Sequence, residues 1–555
     1  MCEQGIIVTS INNIFSNPFK PKYKANSGET ELGLFYTNDM HGDVNRLSKF
    51  KTAHDKFLSA NKDTQNLTLA AGDCLFGSNK QRNSLMVKLF NLMGLDALAL
   101  GNHEFAGGSK KLSDSLENTE FKTVSANLEI DKDNPLQKSI KNKKLVKSAV
   151  FMKGGHKFAV IGASPFDSYI NSTDKSVNVK NLDNTIKEIN EETKKLEEQG
   201  VNKIILLSHL GYGEQGDLAV ARQTQGVDII VGGHSHTVID GVNTTSPRDK
   251  KDVHKLNLLM SKRNEPVLIT QAGGMNEYAG YLNVVFDEKG VLKTNKIENK
   301  LVDLNQFEES SIVNELMDEE LGEKVKLADV KGEYSPKNSF SERNLANPLA
   351  NAFADAILAR GKKYGADISL FNGATIRGGA KGQITNYDVK FAMLPFNSEI
   401  KVVEISEKDL VQMLKNTVGS TMTTKDEPAL LRASGMKYSV RNDKEYFLNG
   451  GTEPIQKVKI GKRDIDVKNP DENKKLKVAL NSYLFSMPET KDILAKYKDY
   501  AVSIGHEQEI FMDYLKEHET LDFTKTEERV KQTVSYGSRI EFDFAREEIL
   551  KHLNK

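Results

Sequence analysis

Tryptophan is absent from this chain of 555 residues, cysteine occurs only twice and aromatic residues make up 7%. The missing tryptophan decides nothing, but the shortage of cysteine does. Cys2 and Cys74 can build neither a disulfide framework nor a cysteine-based zinc finger. Cys74 directly follows Asp73, a position that suits a small buried residue better than a nucleophile. Net charge is lacking too: Lys+Arg and Asp+Glu both number 77. That removes any general pull toward nucleic acid or an anionic membrane. No run approaches the roughly 20 apolar residues a membrane helix needs. Gly5 to Val8 is too short for a signal-peptide core, and Thr9 to Asn13 interrupts it at once. The expectation is a soluble, cytoplasmic protein without nucleic-acid or membrane partners. Zincin motifs, nucleophile elbows, Walker loops, dinucleotide fingerprints and internal repeats are also missing.

What is present reads as ordinary globular protein, 38% hydrophobic and 28% charged, long enough for two or three domains. Residues 1–30 show no period and are expected to be a loose leader. From Leu32 strand and helix patterns alternate, with strands over 32–37, 67–72, 123–127, 203–208, 227–232 and 266–270. Gly154-Gly155 predicts a tight hairpin turn, and Gly200 closes a charged helix over 181–199. Residues 240–264 read as a polar surface insertion, and 282–293 as a hairpin turning at Lys289-Gly290. Mixed parallel and hairpin signals argue for sheets stacked as a sandwich between helices. The acidic stretch 303–325 reads as a solvated connecting helix. The domains are therefore set at 31–304 and 331–555, joined by a linker over 305–330.

Chemistry-bearing residues gather where strand patterns stop. Leu32 to Thr37 runs into Asp39 and His41, and Leu67 to Ala71 into Asp73. Ala97 to Leu100 runs into Asn102 and His103, Ile204 to Ser208 into His209, and Val227 to Gly233 into His234 and His236. In open α/β sheets, ligand sites lie outside the carboxyl ends of strands. Any one of these could be a turn or a helix cap, but together they hold five of the eleven histidines. Each lies beside small residues that permit close backbone approach. Asp, Asn and His are ligands for hard-to-borderline cations, and a bridging carboxylate can hold two of them about 3.5–4 Å apart. The pattern points to a two-metal hydrolase centre. The remaining histidines (54, 156, 254, 506, 518 and 552) read as ordinary packing or surface residues. The Lys-rich stretch 141–147 reads as a solvated face.

The ordered set Asn-Asp-x-His-Gly, Gly-Asp, Gly-Asn-His-Glu, Ser-His-x-Gly and Gly-Gly-His-Ser-His resembles the 5′-nucleotidase family of calcineurin-like metallophosphoesterases. The resemblance covers about Leu32 to Leu304 densely. It reaches the second domain through Asn372-Gly-x-x-Ile-Arg377, Gly382-x-Ile-Thr385 and Leu394-Pro-Phe396. It implies an α/β fold: a four-layer αββα metallophosphoesterase sandwich followed by an α+β substrate-binding domain. It implies two divalent metal ions, for which Mn, Zn, Fe and Co all suit the ligands. Asp39, His41 and His236 would hold one and Asn102, His209 and His234 the other, with Asp73 bridging. His103 resembles the family's catalytic histidine and Arg377 a phosphate contact. Phe396 and Tyr483 resemble the aromatic pair that sandwiches the nucleobase. Two cations so held lower the pKa of a shared water and supply hydroxide near neutral pH.

The implied activity is release of phosphate from nucleoside monophosphates or related small phosphoesters, bound between the domains. The alternatives are a phosphodiesterase acting on cyclic nucleotides or nucleotide sugars, and a catalytically weak nucleotide-binding protein. Many relatives are exported, which gives an alternative location. Three departures bear on these expectations. Ala106 replaces the aspartate that usually orients the catalytic histidine, Ser398 alters Pro-Phe-x-Asn, and Phe485 to Thr490 stands where a Gly-Gly-Asp-Gly-Tyr loop is expected.

Overall fold

The computed structural model describes residues 17–75, 79–166, 170, 174–244, 255–334, 347–423, 430–534, 545–546 and 548–549. The chain divides into two compact units, one ending at Glu323 and one beginning at Lys324. Among the described residues no helix is long and apolar enough to cross a membrane.

Two seven-stranded sheets form the first unit. In one, Thr30–Thr37, Gln65–Ala70, Ala97–Ala99, Lys122–Val124 and Leu145–Val146 run parallel. The antiparallel strands Tyr278–Phe286 and Leu292–Asp303 extend this sheet beyond Thr30–Thr37. In the other, His156–Ala163, Ile204–Ser208, Ile229–Gly232 and Pro266–Ala272 run parallel. Alternation along each strand sends one set of side chains between the sheets. Leu34, Tyr36, Leu69 and Ala99 share a buried core there with Val160, Leu207, Val231 and Leu268. The opposite set meets helices. Phe35 packs on Phe50 and Phe57 of the helix Leu47–Ala60. Ile161, Leu206 and Ile230 share a core with Ile186, Ile189 and Leu196 of the helix Leu182–Glu198. Helix, sheet, sheet, helix is the expected layering.

Local signals behave as their chemistry requires. Gly154 and Gly155 both have positive φ in a two-residue hairpin that pairs Lys153 with His156. Asn181 caps the long helix by accepting the Asn184 N–H, and Gly200 beyond its end has φ +73°.

Three expectations change. The leader expected over 1–30 is packed where it is described, since Phe19 is fully buried among Phe35, Phe57, Tyr281 and Phe307. A lone aromatic in a polar stretch has no period to reveal it. The supposed solvated linker contains the helix Ser311–Leu321, whose Val313, Met317 and Leu321 are buried. It packs on Leu47–Ala60 and Lys80–Met93 of the first unit. Its apolar stripe at every fourth residue is masked by acidic neighbours, and the second unit's first strand, Lys326–Tyr334, begins within the range assigned to the linker. The insertion expected over 240–264 carries the strand Leu258–Met260, which joins the second sheet. Its residues 245–254 lie outside the described residues.

The second unit is α+β, with sheets of three, five and four strands. Its helix Pro348–Lys362 is capped by Asn347, with proline in the first turn. The five-stranded sheet orders Leu431–Ser434, Ile368–Asn372, Lys475–Asn481, Glu399–Ser406 and Val502–His506.

Candidate metal centre

In the first unit each expected ligand follows the carboxyl end of a parallel strand. Asp39 and His41 follow Thr30–Thr37, Asp73 follows Gln65–Ala70, and Asn102 and His103 follow Ala97–Ala99. His209 follows Ile204–Ser208, and His234 and His236 follow Ile229–Gly232 in the facing sheet. Leaving the strand, the backbone turns sharply. Asp39, His41, Asp73, His234 and His236 all have positive φ, between 47° and 70°. Left-handed backbone at a residue with a Cβ costs about 1 kcal/mol or more. Five such residues in one place require a surrounding structure that holds them.

Glycines let these side chains approach. A Cβ on Gly101 would fall 2.2 Å from Asp73 Oδ1 and 2.7 Å from His209 Nε2. One on Gly233 would meet His209 and the Ala71 carbonyl, both at 2.6 Å.

Several of these side chains converge. Ligand atoms of Asp39, His41 and His236 lie within 4.8 Å of one another, as do those of Asp39, Asp73 and His209, and of His41, Asp73 and His103. His209 Nε2 lies 3.2 Å from Asp73 Oδ2 and 3.7 Å from Asp39 Oδ1. His236 Nε2 is 3.3 Å from Asp39 Oδ1 and 2.9 Å from His41 Nε2. Asn102 Oδ1 lies 3.2 Å from His234 Nδ1. His103 is half-buried, its ring edge-on to His41 at 4.7 Å and its backbone N–H on Asp73 Oδ1 at 2.8 Å.

Three supporting residues escaped the sequence reading. Asn38 donates to Asp39 Oδ2 and the Gly273 carbonyl and accepts the Ala272 N–H, tying the first strand's end to the last strand of the other sheet. Glu104 is fully buried, and its two oxygens accept the N–H groups of Asp73, Cys74, Leu75 and Gly101 at 2.8–2.9 Å. One carboxylate thus shapes both the Asp73 and the Asn102 loops. Buried Arg82 donates to the His41 carbonyl from beneath. Asn38 and Glu104 sat inside the motifs that were noticed; nothing local marked Arg82. Buried Cys74 has its thiol pushed well up by burial and by neighbouring carboxylates, which fits a packing role and no nucleophile.

Electrostatics favour a cation here. Burial alone would raise Asp73, but His209, His103 and His41 hold it well below the usual carboxylate range. Burial would lower His209, yet Asp73 and Asp39 push it up to about 10. Burial drops His41 to about 3. The carboxylates therefore demand positive charge from some neighbours while others stay neutral with free lone pairs. His209 Nδ1 lies 2.6 Å from the Ala71 carbonyl, a bond that keeps a proton on Nδ1 and aims Nε2 at the carboxylates, where a bound cation would displace the second proton. That Nε2 and Asp39 Oδ1 are buried without a hydrogen-bond partner. A buried carboxylate oxygen and imidazole nitrogens that converge on one place, with positive charge drawn there by the carboxylates, fit a divalent cation.

In the second unit, Arg377, Phe396 and Tyr483 lie at one end of the five-stranded sheet. The Arg377 guanidinium carbon stands 5.3 Å from the Phe396 ring centroid. Phe396 and Tyr483 are 48% and 47% exposed. Where the Gly-Gly-Asp-Gly-Tyr loop was expected, the chain folds on itself: Met487 is buried, and buried Thr490 donates to the Leu484 carbonyl.

Residues 34–238 match the calcineurin-like phosphoesterase family model, and residues 325–492 match the 5′-nucleotidase C-terminal domain. The chain belongs to the 5′-nucleotidase family of metallophosphoesterases. Membership makes it a hydrolase of phosphate esters that depends on divalent metal. Among members of this family, it is 28% identical to the trifunctional nucleotide phosphoesterase YfkN of Bacillus subtilis, over 93% of this chain and 36% of that one. It therefore spans about a third of that relative. It is 24% identical to a probable 5′-nucleotidase of Treponema pallidum, over 83% of this chain and 87% of that one. Among solved structures, a 5′-nucleotidase precursor from Thermus thermophilus superposes with a TM-score of 0.64 at 26% identity, covering 90% of this chain and 99% of that one.

Proposed function

We propose that this protein releases inorganic phosphate from nucleoside 5′-monophosphates at a centre holding two divalent metal ions. The observation that carries the reading is the pair of half-exposed aromatic rings, Phe396 and Tyr483, accompanied by a guanidinium at 5.3 Å from one of them. Half-exposed aromatic rings beside a cation suit a ligand that has both an aromatic base and a phosphate.

Asp39, His41 and His236 would hold one metal and Asn102, His209 and His234 the other, with Asp73 shared. Such a pair supplies Lewis-acid activation of water and neutralises charge on the phosphoryl group. The chain's own residues do the rest. Asn38, Glu104 and the Ala71 carbonyl hold the ligands before substrate arrives, so no reorganisation is needed at the moment of reaction. His103, half-exposed beside Asp73, would offer an imidazole N–H to a phosphate oxygen or the departing alkoxide. Arg377 adds fixed positive charge for the substrate's phosphate.

The test is phosphate release from AMP by Mn²⁺-loaded protein, run beside bis-p-nitrophenyl phosphate. Turnover of AMP is the expected result. Cleavage of the diester without AMP turnover would replace this reading with a phosphodiesterase. Bound metal with no turnover of either would favour a nucleotide-binding role.

A further inference from the structure

Four segments of the second unit meet at one end of its five-stranded sheet. Ile368–Asn372 and Lys475–Asn481 run parallel and finish side by side, with Leu370 opposite Leu480. Glu399–Ser406 is antiparallel to Lys475–Asn481 and so begins at this end, with Ile400 opposite Asn481. Val502–His506 finishes there too, with His506 opposite Glu399. The residues just beyond these ends are Gly373 to Arg377, Ser482 and Tyr483, Phe396 to Ser398, and Glu507.

Glu507 opens the helix Glu507–His518 and is fully buried. One carboxylate oxygen accepts the Ser398 N–H at 2.9 Å, and the other the Asn481 side-chain amide at 3.2 Å. The Glu507 N–H returns a bond to the Ser398 carbonyl at 3.0 Å. Gln508 beside it donates to Asn397 Oδ1 and to the Lys390 and Leu394 carbonyls. The Asn481 amide also lies 3.3 Å from Asn372 Oδ1 and 3.1 Å from Thr375 Oγ1, in the loop that leads to Arg377. Two buried side chains, Glu507 and Asn481, thus touch the roots of all three segments bearing Arg377, Phe396 and Tyr483.

A buried carboxyl is an expensive way to stabilise a turn; apolar packing does as well or better. Burial pushes this one up to about 7, so its surroundings resist its charge. What it achieves that an apolar side chain could not is register between loops distant in sequence. The rings it underlies gain from that, because half-exposed side chains take much of their position from the backbone beneath them.

We propose that Glu507, together with Asn481, is a positioning device that fixes Arg377, Phe396 and Tyr483 relative to one another, and thereby sets preference for a base-bearing phosphate ester over a small one. The proposal rests on the nucleotide reading above.

The experiment compares full-length wild type, Glu507→Ala and Glu507→Gln, loaded with Mn²⁺, on AMP and on p-nitrophenyl phosphate. Alongside, hydrogen–deuterium exchange is followed in each protein without substrate. Glu507→Ala should raise KM for AMP with a smaller change in kcat, and lower the AMP to p-nitrophenyl phosphate ratio of kcat/KM at least about tenfold. Glu507→Gln, which keeps one acceptor, should fall between. Exchange should quicken together in residues 373–377, 394–398 and 482–486. Equal losses on both substrates, or faster exchange confined to the neighbourhood of residue 398, would overturn the proposal. If wild type cleaves p-nitrophenyl phosphate and not AMP, the nucleotide reading fails by itself and the exchange pattern still decides the positioning role. Should Glu507→Ala not fold, Glu507→Gln and Asn481→Asp carry the same two measurements.

Discussion

Asp73 receives the His103 N–H on one oxygen and faces His41, His103 and His209 with the other. Asp73→Asn keeps the shape and removes the charge, so the two metal ions proposed above would lose their shared ligand. Activity on any phosphoester should fall more than about 100-fold, and metal per chain, read by elemental analysis, should fall with it. Ala106 lies one turn after His103 in a short 3-10 helix, where residues three apart stack. Ala106→Asp would place a carboxylate under the imidazole, and kcat on AMP should rise several-fold, with the alkaline limb of the pH–rate profile moving to higher pH. A lower kcat with an unmoved limb would show that His103 takes its orientation elsewhere. His54 supplies a pH signature of its own. Buried against Phe35 and bonded to Thr68 Oγ1, it is lowered by burial from 6.5 to about 4. Below pH 6.5 the unfolded chain binds a proton that the folded one refuses. His54 therefore costs stability progressively as pH falls toward 4, by about 3 kcal/mol in all. Urea unfolding from pH 7 to 4 should lose correspondingly less stability in His54→Gln.

Among the elements, the packed segment before the first strand and the helix Ser311–Leu321 were the least visible. Phe19 fills a fully buried site lined by four aromatic rings from separate parts of the first unit. Phe19→Ala should cost roughly 3–5 kcal/mol in urea unfolding while leaving KM for substrate unchanged. A cost near zero would mean that this segment is not docked in solution. The strand ends that carry the site were visible early, because a hydrophobic run followed by Asp, Asn or His is a local pattern. The left-handed turns at Asp39, His41, Asp73, His234 and His236 were not. They are imposed by the hydrogen bonds and glycine gaps of neighbouring loops, which no local window contains.

On the scale of the whole molecule, the first unit closes only after the helix Ser311–Leu321, which adds Val313, Met317 and Leu321 to its core. A fragment ending at residue 304 forfeits that burial. In urea it should be less stable than one ending at residue 323 by roughly 5 kcal/mol, the apolar burial of three side chains. Equal stability would show that the helix contributes nothing to the first unit. The zero net charge leaves any electrostatic attraction to local charge, such as the two carboxylates gathered among histidines in the first unit.

The sequence by itself determined most of the order of strands and helices, a sandwich of sheets flanked by helices and the identities of the ligand candidates. Those depend on short-range alternation, on capping chemistry and on residue types with few alternative uses. Only the tertiary structure decided which side chains support the site and where the first unit ends. Glu104 gathers four backbone N–H groups from two loops, and Arg82 reaches back 41 residues to the His41 carbonyl. Glu507 joins segments 26 to 109 residues away. Each is a buried polar group whose partners must come from wherever the fold brings them, because burial without a partner is what the chain cannot sustain. Sequence shows a polar residue; only the fold shows what it satisfies.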